Sequence, residues 1–281
     1  MKVLRASRAG FCMGVGLALK KLEKALENDD KTRICTLGPI IHNPQVMRKF
    51  SERGVQCLGN VEEATQNDTV LIRAHGIPRE IEERLRMLCE NVLDATCPKV
   101  KNAQMAIANA TVNGAELLLF GESEHPEVKG LVSYAKGSAK IFASQHEMEN
   151  MPLEPKKSYV LASQTTQDKE SFQKIAEQLQ KMLPHLVSLS TICDATRERQ
   201  QEALDLARKV DVMVVAGGRE SGNTRRLANL ARDAGIETWH IETAAELDKK
   251  NFAKKRLAGL TAGASTPKSL IDEVEKWLLE I

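Results

Sequence analysis

The sequence predicts an α/β protein of three similar units with parallel sheets, arranged about a common centre. Three observations predict it. Short apolar runs alternate with amphipathic stretches along the whole chain. A strand running into a polar loop and then a helix recurs at 70–76 (VLIRAHG), 117–125 (LLLFGESEH) and 212–223 (VMVVAGGRESGN). A cysteine stands where a helix should begin at Cys12, Cys97 and Cys193, successive members lying about a third of the chain apart. Contiguous units over 1–97, 98–192 and 193–281 follow from that spacing.

In order, Lys2–Ala6 reads as a short strand and Val15–Leu26 has the apolar spacing of a helix. Ile34–Leu37 and Val70–Ile72 read as buried strands, and Arg79–Leu88 as a helix. Pro98 suits a first helical turn, which opens a helix through Val100–Ala110. Leu117–Phe120 is a strand with a helix over Val128–Tyr134 after it; Val160–Ala162 is a strand followed by the helix Lys169–Met182. Thr196–Arg208 reads as a helix, Val212–Ala216 as a strand and Arg225–Ala234 as a helix. Strands near Thr238–Ile241 and Leu257–Thr261 and the helix Lys268–Leu279 close the chain.

The 281 residues are 42% hydrophobic and 28% charged, too apolar for disorder and too charged for a membrane bundle. No apolar run approaches the roughly 20 residues of a membrane span. A formal charge of +2 gives no global field to gather nucleic acid or an anionic membrane, so any anion must be met by a local site. Lys2, Arg5 and Arg8 before the uncharged Ala9–Leu19 faintly resemble a signal peptide. Gly10, Gly14, Gly16 and the following Lys20 and Lys21 argue against one, so a cytoplasmic protein with reduced thiols is expected.

A thiolate at a helix start is favoured by the dipole and by unpaired N–H groups. Three such thiolates from distant segments suit a [4Fe-4S] cluster held at three irons, with the fourth open to substrate. No C-x-x-C pair points to a zinc ribbon or a thioredoxin-type site. Cys35, Cys57 and Cys89 lack a polar or glycine-rich setting and read as ordinary core or surface thiols. His42, His75 and His125 stand in loops just past strand ends, where ligands of parallel sheets gather; His146, His185 and His240 do not stand out. Glu127 lies two residues after His125, close enough to share one proton path, and a carboxyl in a closed, dry site would hold its proton for delivery. The loops 217–224, 261–267 and 163–166 offer glycines, hydroxyls and an amide, a donor set for a polyanion. Gly14-Val15-Gly16 lacks the full dinucleotide-binding spacing. From these residues alone a cysteine-dependent acid–base enzyme such as an amino-acid racemase, a metal-binding or redox-sensing regulator and a nucleotide-binding module stay open.

Seven motifs, in order across nearly the whole chain, resemble the LytB-type iron–sulfur reductases of 4-hydroxy-3-methylbut-2-enyl diphosphate: GFC (10–12), AHG (74–76), DATCP (94–98), HPEV (125–128), QTT (164–166), ICDAT (192–196) and TAGAS (261–265). The resemblance implies a pseudo-threefold arrangement of α/β units around a central [4Fe-4S] cluster, one per chain, held by Cys12, Cys97 and Cys193. It implies removal of an allylic hydroxyl, giving isopentenyl and dimethylallyl diphosphate in the last step of the methylerythritol phosphate route to isoprenoids. It places His42, His75, His125, Thr165, Ser221, Gly222, Asn223 and Ser265 at the substrate, with Glu127 as proton donor and Thr165 as relay. An external one-electron donor such as ferredoxin or flavodoxin is implied as well. One departure stands out: where the family commonly has Ser-Ser-Asn, this chain has Ser221-Gly222-Asn223, so at that position only a backbone N–H can serve.

Overall fold

The structure, a computed structural model, describes residues 1–28 and 32–281. Its elements in chain order are β1 (Lys2–Arg5), α1 (Met13–Asn28), β2 (Ile34–Leu37), α2 (Pro44–Glu52), β3 (Gln56–Leu58), β4 (Thr69–Ile72), α3 (Arg79–Leu88), β5 (Asn91–Asp94), α4 (Pro98–Ala110), β6 (Glu116–Phe120), α5 (Pro126–Ser133), β7 (Ala139–Phe142), α6 (Gln145–Glu149), β8 (Tyr159–Ser163), α7 (Lys169–Met182) and β9 (Leu186–Ser188). There follow α8 (Asp194–Ala207), β10 (Val212–Ala216), α9 (Gly222–Asp233), β11 (Thr238–Ile241), β12 (Leu257–Ala262) and α10 (Lys268–Leu279).

The strands form three four-stranded sheets, ordered β3-β2-β4-β5, β7-β6-β8-β9 and β11-β10-β12-β1, and every pairing is parallel. The order is the same in all three: the first strand of each set lies inside, its successor takes one edge, the third pairs with the first, and the fourth takes the far edge. In the last sheet the fourth strand is β1, supplied by the start of the chain and running in register with β12 from Lys2 against Leu257 to Arg5 against Leu260. The expected contiguous boundaries 1–97, 98–192 and 193–281 are therefore corrected. Residues 2–5 leave the first stretch and complete the sheet of the third, their backbone pairing in parallel with β12.

This shared order also re-aligns the expected repeat. The strands β6 and β10 are first strands of their sets, but β4 is a third strand. The counterpart of 117–125 and 212–223 is thus β2 with the loop through His42, while the 70–76 segment corresponds to the loops after β8 and β12.

The chain divides into two compact units: Met1–Gly16, Ile41–Phe50 and Asp194–Ile281 in one, and Leu17–Ile40 and Ser51–Cys193 in the other. In the first, the sheet with β10 and β12 packs α10 on one face, through Leu270, Ile271, Val274 and Leu278 against Val212, Val214 and Leu260. Its other face meets Leu206 and Ala207 of α8 and Leu227 and Ala228 of α9. In the second unit, Ile175 and Leu179 of α7 cover one face of the β6–β8 sheet, and Ile107 of α4 with Val128 and Leu131 of α5 cover the other. Leu85 of α3 packs on the β2–β4 sheet with Val70 and Ile72. The inner strands are buried on both faces and carry unbroken apolar runs, as two-sided parallel sheets demand.

Candidate functional site

Every residue singled out by the sequence falls just past the carboxyl end of a strand, and the strand's rank within its set sorts them. After the fourth strands β1, β5 and β9 come Cys12, Cys97 and Cys193, each the residue immediately before a helix (α1, α4 and α8). After the first strands β2, β6 and β10 come His42, the pair His125 and Glu127, and the 217–223 loop. After the third strands β4, β8 and β12 come His75, Thr165 and Ser265. One topology repeated three times thus delivers one thiol and two polar loops per sheet at the edge where parallel α/β folds hold ligands.

In the unit holding residues 51–193, short contacts join these loops. The Cys97 N–H donates to Ala74 O at 2.9 Å, beside His75. The rings of His75 and His125 meet edge-on with centroids 5.5 Å apart. His125 caps α5, its Nδ1 accepting from the Glu127 N–H at 3.1 Å, so the imidazole tautomer at that helix start carries its proton on the other nitrogen. Glu127 is 2% exposed, and its Oε1 accepts from the Thr165 N–H at 2.6 Å. The Thr165 carbonyl in turn accepts from the Cys193 N–H at 2.9 Å. Cys97, His75, His125, Glu127, Thr165 and Cys193 are therefore linked through successive neighbours in one unit.

In the other unit the Cys12 N–H donates to Ala264 O at 3.1 Å, and the Ser265 hydroxyl donates to His42 O at 3.0 Å. Gly263 lies against Thr224: a Cβ there would stand 1.9 Å from Thr224 Oγ1, so no other residue fits between the two loops. Ser221 caps α9, its Oγ accepting from Thr224 N–H at 3.4 Å, and Gly222 and Asn223 form the buried first turn. Among the described residues neither Oδ1 nor Nδ2 of Asn223, which is 5% exposed, has a hydrogen-bond partner; the hydroxyls of Thr224 and Thr261 also lack one. Leaving a buried amide unsatisfied at both ends costs about 1–3 kcal/mol per group, a cost that a bound polar ligand removes. This donor set and the helix start fit a diphosphate, and with the side chain of residue 222 absent its N–H is what that position offers.

The cysteines separate by environment. Cys12, Cys97 and Cys193 are unbridged and half-buried. Cys35 is fully buried on β2 and Cys89 is buried too; burial, the dominant cause, pushes the Cys35 thiol up to about 11 and raises that of Cys89. A thiol so held stays protonated and is a poor metal ligand. Cys57 is exposed on the edge strand β3. Each of the three helix-start thiols lacks that burial and could serve as a soft metal ligand. His146 and His185 are exposed, whereas His240, half-buried on β11, has Nε2 3.0 Å from Gly217 O and so braces the 217–223 loop.

Sequence reading missed Arg199. Its side chain is 4% exposed, and it lies on the buried stripe of α8 with Thr196, Gln200, Ala203 and Ala207. The available signal was an arginine at i+3 and i−4 from inward-facing positions, which marks a cation the interior must satisfy.

Comparison with known proteins finds one family. The profile of the LytB protein family matches residues 3–279. The chain is similar to the 4-hydroxy-3-methylbut-2-enyl diphosphate reductase of Desulfovibrio desulfuricans, 59% identical over 99% of both chains. It is similar to that of Oleidesulfovibrio alaskensis, 55% identical over 99% of both. Among solved structures it resembles, with a TM-score of 0.72 and 38% identity over the whole of both chains, (E)-4-hydroxy-3-methyl-but-2-enyl diphosphate reductase, described as the terminal enzyme of the non-mevalonate pathway. The fold of the Plasmodium falciparum reductase matches with a TM-score of 0.92 at 24% identity, covering 99% of this chain and 87% of that one.

Proposed function

The chain belongs to the LytB family, and from that premise we propose that it removes the allylic hydroxyl of (E)-4-hydroxy-3-methylbut-2-enyl diphosphate to give isopentenyl and dimethylallyl diphosphate. The observation that carries this is the 59% identity to such a reductase over 99% of both chains. Iron–sulfur dependence comes with the family; the finer assignment is ours. Cys12, Cys97 and Cys193 would hold a [4Fe-4S] cluster, one per chain, supported by their shared place after the fourth strand of each sheet and before a helix. When bound, such a cluster supplies electrons one at a time and an open iron that polarises the substrate hydroxyl.

The chain's own residues do the rest. The reaction takes two electrons and two protons. Glu127 supplies the proton that lets the hydroxyl leave as water, relayed by Thr165, whose backbone it already grips, and the substrate's own diphosphate gives the second to the allyl carbon. His75 and His125 present two imidazoles beside that carboxyl. His42, Ser221, the Gly222 N–H, Asn223 and Ser265 hold the diphosphate with uncharged or titratable donors. This explains how a chain of charge +2 can serve a strongly anionic substrate. The electrons come from a one-electron carrier such as ferredoxin or flavodoxin, in a cytoplasm whose reducing poise suits six unbridged cysteines.

Among the described residues no helix is long and apolar enough to cross a membrane. The test is anaerobic turnover of the iron-loaded chain with a one-electron dye reductant. Consumption of the hydroxylated diphosphate with both products formed is expected. A chain that carries iron and sulfide but leaves the substrate intact would overturn the proposal.

A further inference from the structure

Arg199 is a buried cation whose guanidinium fork reaches two separate backbone segments. Nη2 donates to Gly10 O and Nη1 to Ala262 O, each at 2.9 Å. Gly10 stands two residues before Cys12, and Ala262 ends β12, three residues before Ser265. Gly10 has φ +105°, a conformation side chains avoid, and a Cβ there would meet Ile271 Cδ1 at 3.1 Å. The turn that turns its carbonyl toward Arg199 is thus built for a glycine. The same two segments meet again where the Cys12 N–H donates to Ala264 O at 3.1 Å.

We propose that Arg199 is a positioning residue. One charged fork fixes the Gly10–Cys12 segment against the 262–265 segment, setting the place of the Cys12 thiol and of the Ser265 hydroxyl. This rests on the assignment of Cys12 as a cluster ligand. Charge-assisted bonds to carbonyls are stronger than neutral ones, and a rigid fork satisfies two acceptors at once. A lysine offers a single ammonium and cannot span both in that geometry. Arg199→Met leaves two buried carbonyl oxygens short of their donors, and Arg199→Lys restores at most one.

The test compares wild type, R199K, R199M and the neighbouring control Q200M, all reduced and stripped of metal, by amide hydrogen exchange. Peptides covering 6–16 and 262–266 should exchange at least about fivefold faster in R199K and R199M, with β10 unchanged and Q200M like wild type. Equal rates in R199K and wild type at both segments would overturn the proposal. If R199M fails to fold, R199K decides alone. After anaerobic reconstitution, R199K should lose iron in air several-fold faster than Q200M. Accelerated exchange with normal iron retention would show that the segment is clamped without consequence for Cys12 as a ligand, and would overturn that part. If wild type takes up no iron at all, the cluster assignment fails by itself, and the exchange comparison still judges the clamp.

Discussion

The two ends of the strands obey opposite electrostatic rules. At the amino ends of β2 and β4, Arg33 and Asp68 satisfy one another. Arg33 Nε donates to Asp68 Oδ1 at 2.8 Å, its Nη2 bonds Oδ2 and also Glu63 O at 2.9 Å, and the Thr65 N–H donates to Asp68 at 2.7 Å. The carboxylate is 4% exposed and closed by partners on every side. The Arg33 guanidinium beside it holds its carboxyl at about 2. At the carboxyl ends, buried polar groups are left unmatched among the described residues: both ends of the Asn223 amide, Nε2 of Gln164, and the hydroxyls of Thr224 and Thr261. At β2 and β4 the amino end is closed by the chain's own groups, while the carboxyl-end groups keep a deficit that a bound polar ligand would remove. Stability and chemistry should therefore separate cleanly between them.

Glu127→Gln tests this hardest. The amide oxygen can still accept from Thr165, so the fold and iron content should stay as in wild type. With no proton to give, turnover should fall by about 10²–10⁴-fold at unchanged KM. Near-normal kcat in single-turnover assays would remove Glu127 from the proton path.

Asn223→Ala should instead raise KM by about 10–100-fold with kcat nearly kept. Because it deletes a buried amide that lacks partners, the melting temperature of the ligand-free protein should hold or rise. A clear drop in stability would mean the carboxyl-end deficit is illusory.

Asp68→Asn should do the reverse, lowering Tm by about 2–6 °C while leaving kcat/KM untouched. The pH dependence sharpens the point. A carboxyl lowered from 3.8 to about 2 contributes stability that is full above pH 4 and is lost as pH falls toward 2. The wild type should weaken over that window in urea titrations, and the variant should be flatter there.

The smallest effect belongs to Cys35→Ser. Iron per chain and the visible spectrum of the reconstituted protein should match wild type, since burial keeps that thiol protonated. Lost iron would assign the ligands wrongly.

What could be read from sequence follows the same division between buried and exposed. The inner strands β2, β4, β6, β8, β10 and β12 announce themselves as apolar runs because both faces are covered. The strands that escaped notice, β3, β5, β7 and β9, are all edge strands of three or four residues. They are half-exposed, so Asn91-Val-Leu-Asp94 carries too little periodicity to separate from a loop. Helix α2 was missed because Pro44 follows His42-Asn43 in a segment that reads as a turn. The helix start at Cys97 was legible because Pro98 marks it directly, whereas those after Cys12 and Cys193 begin two residues before the helices that apolar spacing gave at Val15 and Thr196. The true alignment of the repeats was not, because it depends on strand order, which no local pattern records.

The pairing of β1 with β12 has a consequence for biosynthesis. Lys2 and its register partner Leu257 stand about 255 residues apart in the chain, so β1 leaves the ribosome long before β12 is made. The unit of Leu17–Ile40 and Ser51–Cys193 can assemble its two sheets before Leu257 is made, whereas the sheet that precedes Cys12 can close only once Leu257–Leu260 have left the ribosome. Cys12 thus waits longer for its final setting than Cys97 and Cys193, which belong to the unit that can be completed first.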